Sequence, residues 1–65
     1  MNLLISYKNG QSDVFEEKQL DCSVSTIKGH ASTLIEALEK NQKGIHKIDR
    51  YNAVLLDEVI CVRVA

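Results

Sequence analysis

The sequence predicts a small α+β fold, an antiparallel sheet of four to five strands packed by one α-helix, in the order β-β-(β)-α-β-β. Three observations predict it. An Asn9-Gly10 pair separates two short strand-like runs, apolar residues recur at spacings of three and four in the middle of the chain, and two runs rich in Val, Ile and Leu close it. Strand hairpins at both ends with a single helical period between them fit one helix laid on one face of a sheet. All of residues 1–65 read as one domain, with no linker, low-complexity tract or internal repeat.

Taken in order, Leu3 to Lys8 and Gln11 to Glu17 form the first hairpin. A two-residue Asn-Gly loop suits a type I′ turn, whose twist matches paired strands. That turn sets Ile5 opposite Val14 and Leu4 opposite Phe15. One hairpin face then carries Leu3, Ile5, Tyr7 and Val14, and the other carries Leu4 and Phe15 among polar residues. Leu20, Cys22 and Val24 alternate with polar residues as a short strand would, yet Val24, Ile27, Ala31, Leu34 and Leu38 also trace one helix face. Residues 20–31 are open between the two readings. Thr33-Leu34-Ile35-Glu36 has the form of a capping box, so the helix is placed at about Ser32 to Gln42. Glu36 with Lys40 and Glu39 with Lys43 make favourable pairs one turn apart, and Lys43-Gly44 is a stop signal. Ile45 to Ile48 reads as a brief strand, Tyr51 to Leu56 as another, Asp57-Glu58 as a turn or bulge, and Val59 to Val64 as the last strand.

In that last strand Ile60, Val62 and Val64 share one face, and Val59, Cys61 and Arg63 share the other. Apolar residues on both faces fit a central strand, or a face used to bind another copy. One helix covers one side of a sheet, which leaves Leu4, Phe15, Val59, Cys61 and Arg63 as the candidate interface. A chain of 65 residues buries only about 60% of its unfolded surface, less than a larger domain does. Self-association would extend so small a core, and a homodimer or higher homo-oligomer is expected.

Composition narrows the function classes. Hydrophobic residues make up 45% of the chain and charged residues 26%, which is a globular balance. Formal net charge is −1, whereas a general nucleic-acid binder needs an excess of Lys and Arg to displace counterions. The basic residues are scattered, and aromatics are limited to Tyr7, Phe15 and Tyr51, too few for a base-stacking platform. Nucleic acid is therefore not the expected partner. The apolar runs are far shorter than the roughly 20 residues of a membrane span, and the helix's polar face mixes Glu with Lys, so no membrane is expected either. Met1 to Lys8 has no basic segment ahead of its apolar Leu3-Leu4-Ile5, and a cytoplasmic location is expected.

The search for chemistry ends without a catalytic constellation. The three glycines are isolated, so no phosphate-cradling loop exists, and neither His30 nor His46 stands beside a nucleophile in sequence. Cys22, His30, His46 and Cys61 would make a Cys2His2 set for zinc, but zinc modules pair their ligands about two to five residues apart and these lie much further apart. The expected arrangement is two reduced thiols packed as small hydrophobes and two solvent-facing histidines, with no metal and no cofactor. Tyr51 is expected half-buried beside a solvated Arg50.

Two functions follow from this. The first is a non-enzymatic protein–protein interaction module, an inhibitor, adaptor or regulator that acts as a homo-oligomer and binds another protein. The alternative is an oligomeric small-ligand binder that sequesters a metabolite or nucleotide. There His46, Lys47, Arg50 and Tyr51 would pair phosphate and stack a base. The hairpin opening and the Ala-Val-Leu-Leu-Asp-Glu-Val-Ile ending resemble many short α+β accessory proteins of bacteria, phages and mobile elements. No specific motif carries that likeness, so no residue role is transferred from it.

Overall fold

Alternation of Leu3, Ile5 and Tyr7 with Asn2, Leu4 and Ser6 builds the first strand, β1 (Asn2–Tyr7), in a computed structural model that describes residues 1–19 and 27–65. β2 (Ser12–Glu16) follows, then a 3₁₀ turn (Glu17–Gln19), helix α1 (Ile27–Glu39), β3 (Ile45–Lys47), β4 (Ala53–Leu55), a second 3₁₀ turn (Leu56–Glu58) and β5 (Val59–Val64). The fold is α+β, as the sequence predicts. β2, β1 and β5 form one antiparallel sheet with β1 in the middle, and β3 and β4 form a separate two-stranded ribbon. The strand considered at Leu20 to Val24 lies outside the described residues.

The first hairpin differs from its prediction by one residue of register. Leu3 faces Phe15, Leu4 faces Val14 and Ile5 faces Asp13. The cause is the turn. Gly10 has φ +87°, but Asn9 is not among the residues with positive φ, so the type I′ geometry that needs both is absent. Instead Gly10 N–H donates to Tyr7 O at 3.0 Å and Tyr7 N–H donates to Gln11 O at 2.9 Å, a three-residue loop with glycine in the left-handed position. Asn9 contributes through its side chain, whose Oδ1 accepts the Gln11 N–H at 2.9 Å. A one-residue slip exchanges the faces of a strand. Phe15 therefore packs against the core, and Val14 turns outward.

A Cβ added at Gly10 meets nothing within 4 Å, so Gly10→Ala is opposed by backbone conformation alone. The expected loss is about 1 kcal/mol, read as a lower urea midpoint at unchanged slope.

A bulge produces the second correction. Ser6 pairs with Cys61, but Tyr7 pairs with Val59, so Ile60 is the extra residue. The bulge moves Val59 onto the same face as Val62 and Val64, against β1's Leu3 and Ile5. Val59 is a core residue and Ile60 is exposed. Beyond Val64 the ladder continues, with Asn2 and Ala65 exchanging hydrogen bonds of 2.6 and 3.0 Å.

Helix α1 begins at Ile27, earlier than the sequence reading, and runs through Gly29. Thr33 is inside the helix, where its Oγ1 donates to Gly29 O at 3.0 Å instead of capping an N-terminus. The helix ends at Glu39 because Asn41 takes the left-handed conformation, φ 55°. Asn41 N–H donates to Leu38 O and Gln42 N–H to Ala37 O, the paired bonds of a Schellman cap. Lys40 meets Glu36 at 2.6 Å as predicted, while Lys43 falls beyond the helix and is not one turn from Glu39. The buried stripe of α1 is Ile27, His30, Ala31, Leu34 and Ala37. It lies on the Leu3–Ile5–Val59 face of the sheet, and Ile48 and Val54 of the ribbon region complete the core.

Candidate functional site

Three places carry the residues singled out by sequence. The first is the turn of the β3–β4 ribbon. Ile45 pairs with Leu55, His46 with Val54 and Lys47 with Ala53. Alternation sends His46 and Val54 inward and leaves Ile45, Lys47, Ala53 and Leu55 exposed. The turn between the strands is held by Asp49, only 6% exposed. Its Oδ1 accepts from Tyr51 N–H and from Asn52 Nδ2, both at 2.9 Å. Ile48 N–H and Asp49 N–H both donate to Asn52 O, at 2.8 and 3.2 Å. The Arg50 guanidinium carbon lies 5.9 Å from the centre of the Tyr51 ring, within cation–π reach.

Ile45, Lys47, Asp49, Arg50, Tyr51, Asn52 and Ala53 line a shallow depression of about 250 Å³. Tyr51 is 77% exposed, not half-buried, because the turn that Asp49 pins carries its ring away from the core. Of the four candidate ligand contacts, Lys47, Arg50 and Tyr51 meet here, and His46 lies on the other side of β3. Two cations, an amide and a flat ring suit a small anionic group. The volume is below the roughly 300–1,000 Å³ of sites that enclose a drug-sized ligand.

The second place is the contact of the two histidines, which sequence reading left facing solvent. His30 Nδ1 and His46 Nε2 are 3.1 Å apart, with the rings edge to face at 78°. His30 is 8% exposed, and its Nε2 has no hydrogen-bond partner among the described residues. Burial, and then the neighbouring His30, hold the His46 imidazole below the ordinary histidine value. The signal was available: His30 follows Ile27 by three and precedes Leu34 by four, which places it in the buried stripe. Of the zinc set considered from sequence, the two histidines come together. Cys61, a free exposed thiol and not a packed one, is on the face of the sheet away from α1. Cys22 lies outside the described residues. Among the described residues no group of three or more His, Cys, Asp or Glu could hold a metal ion.

The third place is the face of the three-stranded sheet that α1 does not cover. Leu4, Val14, Cys61 and Arg63 are on it by register, with Asn2, Ser6, Ser12 and Glu16. Val14 is 53% exposed, and Ile60 at the bulge is 58% exposed. Phe15 and Val59 leave the candidate interface: the register slip and the bulge place both on the covered face. On that covered side Tyr7 donates its phenol proton to Asp13 Oδ2 at 2.6 Å, and burial together with that carboxylate pushes the phenol above its usual range.

No described helix is long and apolar enough to cross a membrane. Comparison with family models, curated proteins and solved structures finds no match.

Proposed function

We propose that the chain is a non-enzymatic protein–protein interaction module that works as a homo-oligomer, joined through the outward face of the β2–β1–β5 sheet. The observation that supports this is the exposure of Val14 beside Leu4 and Cys61 on a sheet face with α1 on its opposite side, with Ile60 also exposed at the β5 bulge. Exposed apolar side chains at the middle of a face with a polar rim fit an association surface. The flanking charges favour a second copy as its occupant. Glu16 stands on β2 and Arg63 on β5, at opposite edges of the face. A two-fold axis along β1 lays β5 of one copy over β2 of the other, which carries Arg63 toward the Glu16 of its mate. The exposed Lys47 and Tyr51 of the ribbon turn, with Arg50 between them, would meet an acidic segment of another protein, since Tyr and Arg dominate interface hot spots.

Val14→Lys combined with Ile60→Lys tests this, because both side chains are largely exposed and their replacement leaves the core intact. Native mass spectrometry or light scattering at tens of micromolar is expected to find an oligomer for the natural chain. The double variant is expected as a monomer of unchanged circular dichroism. A monomeric natural chain rejects the reading.

The depression at the ribbon turn supports a second reading, an oligomeric binder of small anionic ligands such as nucleotides. Its test is a thermal shift with inorganic phosphate and nucleoside phosphates, lost on Lys47→Ala with Arg50→Ala.

A further inference from the structure

We propose that the His30–His46 contact is an acid-sensitive latch that holds the β3–β4 ribbon on helix α1 at neutral pH and releases it when both imidazoles carry a second proton. Two ring nitrogens 3.1 Å apart need one proton between them, donated by one ring and accepted by the other. The neutral pair meets that need. A pair with one extra proton also meets it, at a penalty. If His46 carries the charge and donates from Nε2, then His30 must accept at Nδ1 and hold its own proton on Nε2. That nitrogen is buried and has no partner among the described residues, so the arrangement leaves a donor unmade there. A doubly charged pair sets two N–H groups against each other, and the contact has to open.

What opens is set by the topology. Among the described residues the ribbon shares no ladder with the main sheet. It is held to the rest by Ile48 and Val54 in the core and by the histidine pair, while the Leu56 N–H on Gly44 O at 2.8 Å and the Gly44 N–H on Asp57 Oδ1 at 3.2 Å close its own open end. A two-stranded ribbon is marginal on its own, which makes it the element most easily freed.

The surrounding charges come from every neighbouring element. Helix α1 carries Lys28, Glu36 and Glu39, all exposed, and the connection to β3 carries exposed Lys40 and Lys43. Lys47 is on the outward face of β3, and β4 has no titratable group. Asp49 is the one buried carboxylate among the described residues, and its Oδ1 is engaged by Tyr51 N–H and Asn52; Arg50 beside it is exposed. In the second 3₁₀ turn Asp57 Oδ1 takes Gly44 N–H, and Glu58 is exposed. Tyr7 of β1 is bonded to Asp13, and Cys61 and Arg63 of β5 are on the sheet's far face. The folded state holds His46 below its ordinary value. The unfolded chain therefore binds more protons below about pH 6.5, and stability falls as the pH drops through that window.

Amide hydrogen exchange of the ¹⁵N-labelled natural chain at pH 7.5 and pH 5.0, corrected for intrinsic rates, tests the latch. Protection of residues 45–55 is expected to fall about tenfold at the lower pH, through an opening smaller than the one that exposes β1, seen as a weaker dependence of ribbon exchange on urea. His30→Phe with His46→Phe removes both titrations at similar volume and is expected to abolish the difference. Should that variant not fold, the ¹⁵N shifts of the two rings in the natural chain supply the readout. The His46 shifts are expected to change in step with the loss of ribbon protection. Ribbon protection that is equal at both pH values overturns the proposal. So does ribbon exchange that follows β1 exchange in its urea dependence at both pH values.

Discussion

Leu34→Ala is expected to remove about 3 kcal/mol of folding stability and to leave a large part of the population unfolded at room temperature. Leu34 sits in the middle of the buried stripe of α1, fully inaccessible, within the cluster formed with Leu3, Ile5, Ile27 and Val54. Truncation deletes three carbons from that cluster and opens a cavity that the neighbouring strands cannot close without shifting their ladder. A domain of this size has on the order of 3–10 kcal/mol to lose. Alanine is the better helix former, so the loss is one of packing and not of helix propensity. Urea unfolding followed at 222 nm measures it, with Ile35→Ala on the exposed side of the helix as the control. The control is expected to change stability by no more than about 0.5 kcal/mol. Equal losses from the two variants would mean that α1 does not dock by the stripe described. Midpoints that rise with protein concentration would in addition report the proposed self-association.

Asp49→Ala is expected to cost about 2 kcal/mol and to release the ribbon turn. One carboxylate oxygen collects the Tyr51 N–H and the Asn52 amide, and the resulting turn brings Asn52 O to the N–H groups of Ile48 and Asp49. Without the acceptor the turn loses the bonds that fix Tyr51 and Asn52 beside Lys47, so the depression they line loses its shape. Asp49→Asn keeps a carbonyl oxygen at the same place and is expected to retain more than half of the stability that alanine loses. Urea unfolding gives the energies, and exchange rates of amides 45–55 localise the effect. If asparagine proves as damaging as alanine, the charge of Asp49 matters and not its acceptor geometry.

Much of the architecture was legible because periodicity is strong where burial is one-sided. Leu34 and Leu38 with the Glu36–Lys40 pair identify the later part of α1, and the run Val59 to Val64 identifies β5, while the first turn of α1 lies in a stretch whose sequence fits both strand and helix. The errors came from single residues whose backbone state periodicity does not encode. Asn9-Gly10 is compatible with two loop lengths, and the choice between them moved Phe15 and Val14 to opposite faces. An extra residue at Ile60 did the same for Val59. Asn41 in the left-handed conformation, and not Gly44, ended the helix. Within the candidate site, the clustering of Lys47, Arg50 and Tyr51 was readable because all three lie within one turn. The His30–His46 contact spans the helix and the ribbon and required the tertiary fold.

The placement of β1 between β2 and β5 also sets an order of assembly. β2 is reached through a three-residue loop, whereas β5 arrives from the opposite end of the described chain and pairs as far as Ala65 with Asn2. The first pairing is local and closes within about 1–10 μs. The second brings together residues nearly the whole chain apart and waits on loop-closure entropy. The hairpin therefore spends the early part of folding with one ladder of β1 unpaired, open to a strand from any neighbouring molecule. Folding rate and refolding yield are governed by how soon the final strand arrives, and dilution protects the yield while leaving the rate unchanged.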